Sequence, residues 1–86
     1  MKQVRMMYLK SCPYCKQAIA WMEELKQEHP AYQKVVMEMI EEREQSEIAD
    51  ALDYWYVPTY FVDGVKVHEG AATKEKIQAV YERALA

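Results

Sequence analysis

The chain has 86 residues, 51% of them hydrophobic and 29% charged, with a formal net charge of −3. That is the composition of one compact folded domain, residues 1–86, with a single core, and it excludes a disordered or low-complexity chain. No run approaches the roughly 20 apolar residues that span a bilayer. Met1-Lys2-Gln3-Val4-Arg5 does not open a secretion signal, and the acidic balance argues against nucleic acid as a partner; the expected address is the cytoplasm.

Residues 3 to 9, Gln-Val-Arg-Met-Met-Tyr-Leu, are rich in strand formers and too short for a useful helix, which predicts a central strand. It leads into Ser11-Cys12-Pro13-Tyr14-Cys15, which holds both cysteines of the chain. From Tyr14 to about Glu28 the apolar Cys15, Ala18, Ile19, Met22 and Leu25 recur at three- and four-residue spacing, with Lys16, Gln17, Glu23, Glu24 and Lys26 on the rest of the wheel. The spacing predicts an amphipathic helix that Pro30 ends. The thiol pair therefore opens a helix, with Pro13 preset for its first position. There the unpaired N–H groups and partial positive charge of the helix end favour a thiolate. Cys12, nearest that end, is the expected nucleophile; Cys15, one turn on and facing the core, is the expected resolving thiol. Two other readings compete. The cysteines could be inert core residues, or they could bind metal, although Cys12, Cys15 and His29 lack the fourth ligand at finger spacing that structural zinc needs.

Tyr32 to Ile40, centred on Val35-Val36-Met37, reads as a second, buried strand parallel to the first. Residues 41 to 53 are acidic, and Ser46 is placed to cap a short helix carrying Ile48, Ala49 and Leu52. Tyr54-Trp55-Tyr56 is either simple packing or an aromatic wall for a partner. Val57-Pro58 then opens the run Thr59-Tyr60-Phe61-Val62, and Asp63-Gly64 before Val65-Lys66-Val67 predicts a hairpin with a two-residue turn. His68 reads as a surface residue of that hairpin. Thr73 caps a last helix with Ile77, Val80, Tyr81, Ala84 and Leu85 along one face.

With Cys12-Pro13-Tyr14-Cys15 between the first strand and first helix, and Val57-Pro58 before a strand, the chain resembles a dithiol glutaredoxin of the thioredoxin superfamily over essentially its whole length. The resemblance implies a thioredoxin-like α/β fold of order β-α-β-α-β-β-α, a four-stranded mixed sheet flanked by three helices. It implies a cis Val57-Pro58 bond, with the Val57 backbone pairing with a substrate peptide or glutathione beside Cys12. Substrate or glutathione contacts follow by the same resemblance at Lys10, Tyr14, Val57, Pro58, Gly70 and Thr73. Past the hairpin the pattern changes: His68-Glu69-Gly70-Ala71-Ala72-Thr73-Lys74 keeps only Gly70 and Thr73 of the glutathione-binding pattern and lacks its Asp pair. Asp63-Gly64 through Gly70-Ala71 into Lys74 looks more like the end of a thioredoxin.

The activity so implied is thiol-disulfide exchange at Cys12 and Cys15 on protein or small-molecule disulfides, by a monomer with no bound cofactor or metal and with glutathione as a possible reductant. The alternatives are a thioredoxin-like carrier recharged by a flavoprotein reductase, or a non-catalytic redox sensor or metal-cluster carrier built on the same fold.

Overall fold

The computed structural model describes residues 2–86, and its sheet is built outward from β1 (Val4–Tyr8). Met6 and Met7, which point to opposite faces, are both fully buried, so β1 is covered on both sides. It pairs in parallel with β2 (Met37–Glu41) and antiparallel with β3 (Thr59–Val62), and β4 (Val65–Glu69) closes the order β2-β1-β3-β4. With α1 (Pro13–Glu28), α2 (Ser46–Asp50) and α3 (Lys74–Leu85), this is the thioredoxin-like architecture expected from the sequence. No helix among the described residues is long and apolar enough to cross a membrane.

The two faces of the sheet are covered unequally. One packs Val4, Met6, Tyr60 and Val62 against Ala18, Met22 and Leu25 of α1 and Ile77, Val80, Tyr81 and Ala84 of α3. The opposite face carries the smaller cluster Met7, Ile40, Phe61 and Ala49, bordered by Ile48, Leu52, Tyr54 and Val57. The apolar spacing along α1 and α3 is therefore the imprint of the thick face. Leu85, predicted to share that stripe, is exposed at the last residue of α3.

Two stretches depart from the sequence-based expectation. The second strand begins only at Met37, because Pro30–Lys34 forms a 3-10 turn that buries Tyr32. The Tyr32 ring stacks on Tyr81 at 4.8 Å and its hydroxyl bonds to Glu82, so docking onto α3 overrides local strand preference. Val36, in the extended link that follows, is exposed. Ser46 is not the cap of α2 but its first residue; the N-cap is Gln45, whose side chain makes no capping bond. The chain is already coiled before it arrives there, with the N–H groups of Glu44 and Gln45 bonded to the Glu41 carbonyl.

The hairpin forms as predicted. Asp63 and Gly64 have φ of 49° and 80°, the pair of positive values that marks a type I′ two-residue hairpin turn. Asp63 also exchanges hydrogen bonds with Gln3, its N–H donating to the carbonyl at 2.7 Å and its Oδ1 accepting from the amide at 2.8 Å, which ties the turn to the entry of β1. Thr73 caps α3 as expected, its Oγ1 accepting from the Lys76 N–H at 3.2 Å.

Candidate active site

Because β1 runs parallel to β2 and antiparallel to β3, with Met7 opposite Thr59, the end of β1, the end of β2 and the start of β3 lie at one end of the sheet. The pairing of Thr59 with Glu69 adds the end of β4. Three loops therefore meet there: Leu9–Cys12 before α1, the turn after Glu41, and Tyr54–Pro58. The topology gathers the two stretches that the sequence marked, the thiols and Val57-Pro58.

Cys12 is the N-cap of α1, with extended backbone (φ −80°, ψ 120°), and Pro13 takes the first helical position. Its N–H donates to the Leu9 carbonyl at 3.2 Å and its carbonyl accepts from Lys16 at 3.0 Å, so the backbone at the thiol is fixed on both sides. The side chain makes no capping bond and is half-buried. It stands where the free N–H groups of a 16-residue helix converge. Cys15 is completely buried. Burial above all, with Cys12 within hydrogen-bonding reach, pushes its thiol up to about 12. The pair thus consists of one accessible sulfur and one held neutral beneath it. Tyr14, between them, is 63% exposed.

Lys10 stands on the acidic side of this end. Its ammonium pairs with Glu44, which holds it above the ordinary lysine value, and its N–H donates to Glu41 at 3.1 Å. Glu41 is a buried carboxylate that also accepts from the Arg43 and Glu44 amides, at 2.7 and 3.3 Å. The Lys10 amide foremost keeps its carboxyl below the usual range. Glu41 therefore cross-links the loop before the thiols to the turn after β2. Next to it, Glu42 accepts from the Tyr54 hydroxyl at 2.5 Å.

The Val57–Pro58 bond is cis, as the resemblance implied. Its surroundings are held through the backbone. The Glu69 carboxylate accepts from the Trp55 amide and, at 3.0 Å, from the Tyr56 amide. The Thr59 hydroxyl donates to the Tyr56 carbonyl, and the Gly70 N–H donates to the Pro58 carbonyl at 2.9 Å. Among the described residues nothing takes the Val57 N–H or carbonyl. Trp55 and Tyr56 are 84% and 71% exposed, so this aromatic stretch is surface rather than core, while Tyr54 beside it packs edge-on to Phe61.

Gly70 lies at this end with φ of 89°, a value that favours glycine, and the His68 ring contacts its carbonyl at 2.8 Å. Thr73 uses its hydroxyl oxygen as the cap of α3. The adjacent Lys74 reaches Glu24 and Glu28 at 3.3 and 2.8 Å, on the distal half of α1. Sequence reasoning missed Glu41 and Glu69 as organisers of the site. Each is an acid at the last position of a strand predicted too short or shifted, and strand ends facing loops are where such a carboxylate finds free amides.

The chain matches the family model of the thioredoxin domain over residues 2–82. No curated protein sequence matches it. Among solved structures it is similar to a thioredoxin of Malassezia sympodialis at 27% identity and a TM-score of 0.76, covering 99% of this chain and 76% of that one. The oxidised thioredoxin of Plasmodium falciparum is similar at 20% identity and a TM-score of 0.74, over 99% of this chain and 82% of that one. A mutant thioredoxin of Halobacterium salinarum follows at 21% identity and 0.71, over 99% and 75%. The last two bear on the fold alone.

Proposed function

The chain belongs to the thioredoxin-domain family, and we propose that within it the chain is a thiol-disulfide oxidoreductase working through Cys12 and Cys15. The observation that carries this reading is the asymmetry of the pair: an accessible sulfur at the start of a long helix above a neutral, fully buried one. The Cys12 thiolate attacks one sulfur of a substrate disulfide, forms a mixed disulfide and expels the first substrate thiolate, which takes up a proton. Cys15 then gives up its proton and attacks the Cys12 sulfur. The second substrate thiol leaves and a Cys12–Cys15 disulfide remains, so the two thiols have passed two electrons to the substrate. Cys15 stays neutral until that step, which suits a thiol that must not compete for incoming disulfides.

The substrates are disulfide-bearing proteins or mixed disulfides, met by a monomer in a reducing compartment such as the cytoplasm. The free Val57 N–H and carbonyl suit an extended peptide laid along the loop. The glutaredoxin resemblance makes glutathione a candidate reductant at Lys10, Tyr14, Val57, Pro58, Gly70 and Thr73, and two features argue that it is used weakly. The Thr73 oxygen is already engaged as a cap, and Ala71-Ala72-Thr73 offers no acid for the glutathione ammonium. Loss of one such charge-assisted contact weakens binding by about one to two orders of magnitude.

Cys12→Ser is expected to abolish disulfide reduction and Cys15→Ser to accumulate a mixed disulfide on Cys12, detected by mass spectrometry. Turnover coupled in parallel to glutathione with its reductase and to a thioredoxin reductase separates the recharging routes. Adducts on Cys15, or equal loss from both variants without a trapped adduct, would overturn the roles.

A further inference from the structure

The loop that presents Val57 is fastened from outside by one carboxylate. Glu69, the last residue of β4, divides its two oxygens: Oε2 accepts from the Trp55 and Tyr56 amides, and Oε1 takes the Lys66 ammonium at 2.7 Å. The same Lys66 ammonium donates to the Asp53 carbonyl at 3.2 Å. A single ion pair at the surface, with side-chain exposures of 35% and 21%, thus holds three backbone groups of the segment Asp53–Tyr56 against the hairpin. Each of these bonds goes to backbone, so the clamp fixes the path of the chain and leaves the Trp55 and Tyr56 side chains in solvent. Exposing two large aromatic rings costs free energy that packing would recover, and here the amides that could let the loop fold inward are already spent.

We infer that Glu69, braced by Lys66, is a positioning residue that holds Trp55 and Tyr56 out as a platform for apolar side chains of an extended peptide. It thereby sets a preference for peptide disulfides over small ones. The inference rests on the oxidoreductase reading above. The register supports the geometry: Glu69 pairs with Thr59 in the hairpin ladder, so the clamp closes one residue beyond Pro58, and Gly70 fastens the Pro58 carbonyl from the same strand end. Added at Gly70, a Cβ would come to 3.8 Å from the Tyr56 Cβ, which shows how closely strand end and loop approach. A peptide bonded to the free Val57 backbone would run past the two exposed rings, whereas a small disulfide would reach Cys12 without meeting them.

The test compares two disulfides with the same leaving group. One is a short unstructured peptide whose cysteine, flanked by Leu and Phe, is capped with thionitrobenzoate; the other is dithiobis-nitrobenzoate itself. For stoichiometrically prereduced Glu69→Ala in single turnover, followed by thionitrobenzoate release, the ratio of second-order rate constants for peptide over small disulfide is expected to fall about tenfold, through a higher half-saturating peptide concentration, because one charge-assisted anchor is lost. Glu69→Gln, which keeps an amide acceptor, should fall between, as should Lys66→Met. In a Trp21→Phe background Trp55 is the one remaining tryptophan. Its steady-state anisotropy should drop in Glu69→Ala while far-UV circular dichroism stays that of the folded chain. An unchanged ratio, or a loss equal for both disulfides, overturns the inference, as does an unchanged anisotropy. Failure of the wild type on both disulfides would instead overturn the oxidoreductase reading and the selectivity with it, with the anisotropy still reporting on the clamp.

Discussion

The thick and thin faces of the sheet hold the two halves of the candidate site by different physics. The thiols ride on α1, whose buried Ala18, Met22 and Leu25 are locked into the larger core cluster, so Cys12, the proposed nucleophile, is placed by apolar packing. The Tyr54–Pro58 loop leaves the thin face, where Tyr54 and Val57 merely border a small cluster, and its course is set by hydrogen bonds to Glu69, Thr59 and Gly70. A reacting sulfur needs one position relative to the helix end, and close packing supplies that. A surface proposed to receive a peptide keeps its apolar rings in water, where packing alone would bury them, so it needs directional polar restraints.

The comparison breaks most visibly in the cores. Ile77 on the thick face and Ile40 on the thin face are both fully buried, so an Ile→Ala change removes the same atoms from each. Chemical denaturation should show losses within about 2–5 kcal/mol, with Ile77→Ala near the top of the range and Ile40→Ala near the bottom. The thin cluster has fewer rigid neighbours around the vacated space and can close over it. Equal losses would show that the two faces resist collapse alike.

An alkaline titration sharpens the contrast from the thiol side. The folded value for Cys15 is raised from 9.0 to about 12, chiefly by burial. Its buried neutral thiol therefore contributes stability that is fully present below pH 9 and is lost as pH rises from 9 toward 12, where only the unfolded chain ionises it. Under reducing conditions the stability difference between wild type and Cys15→Ala should shrink across that window. A difference flat with pH would mean that the thiol is less enclosed than the packing of α1 implies.

The smallest effect lies at the start of α3, which covers the thick face. Thr73→Ala removes the oxygen that accepts from the Lys76 amide and should cost about 1 kcal/mol by the same denaturation measurement. A loss as large as that of Ile77→Ala would mean that α3 is held by its cap rather than by its buried stripe.

Much of this is legible in the chain itself. The stripe of α1, the Asp63-Gly64 turn, the Thr73 cap and the placement of Cys12 and Cys15 are local: each depends on residues within a turn or two of one another, and periodicity and turn chemistry encode such neighbourhoods directly. Tyr32 was misread because its partner, Tyr81, is far along the chain and nothing near it announces the stack. Ser46 was misread because the bend before it is imposed by Glu41, whose buried carboxylate answers amides on both of its neighbouring loops.

Local patterning along the chain is enough to place the main helices and strands in order, the helix that presents the thiols and the outer position of Cys12. How the second half of the site is held follows from long-range pairing instead, because the reach of Glu69 to Trp55 and Tyr56 depends on the register of β3 against β4. A carboxylate satisfies whichever amides the fold brings to it. That choice is made by strand pairing across the hairpin, not by any spacing along the chain.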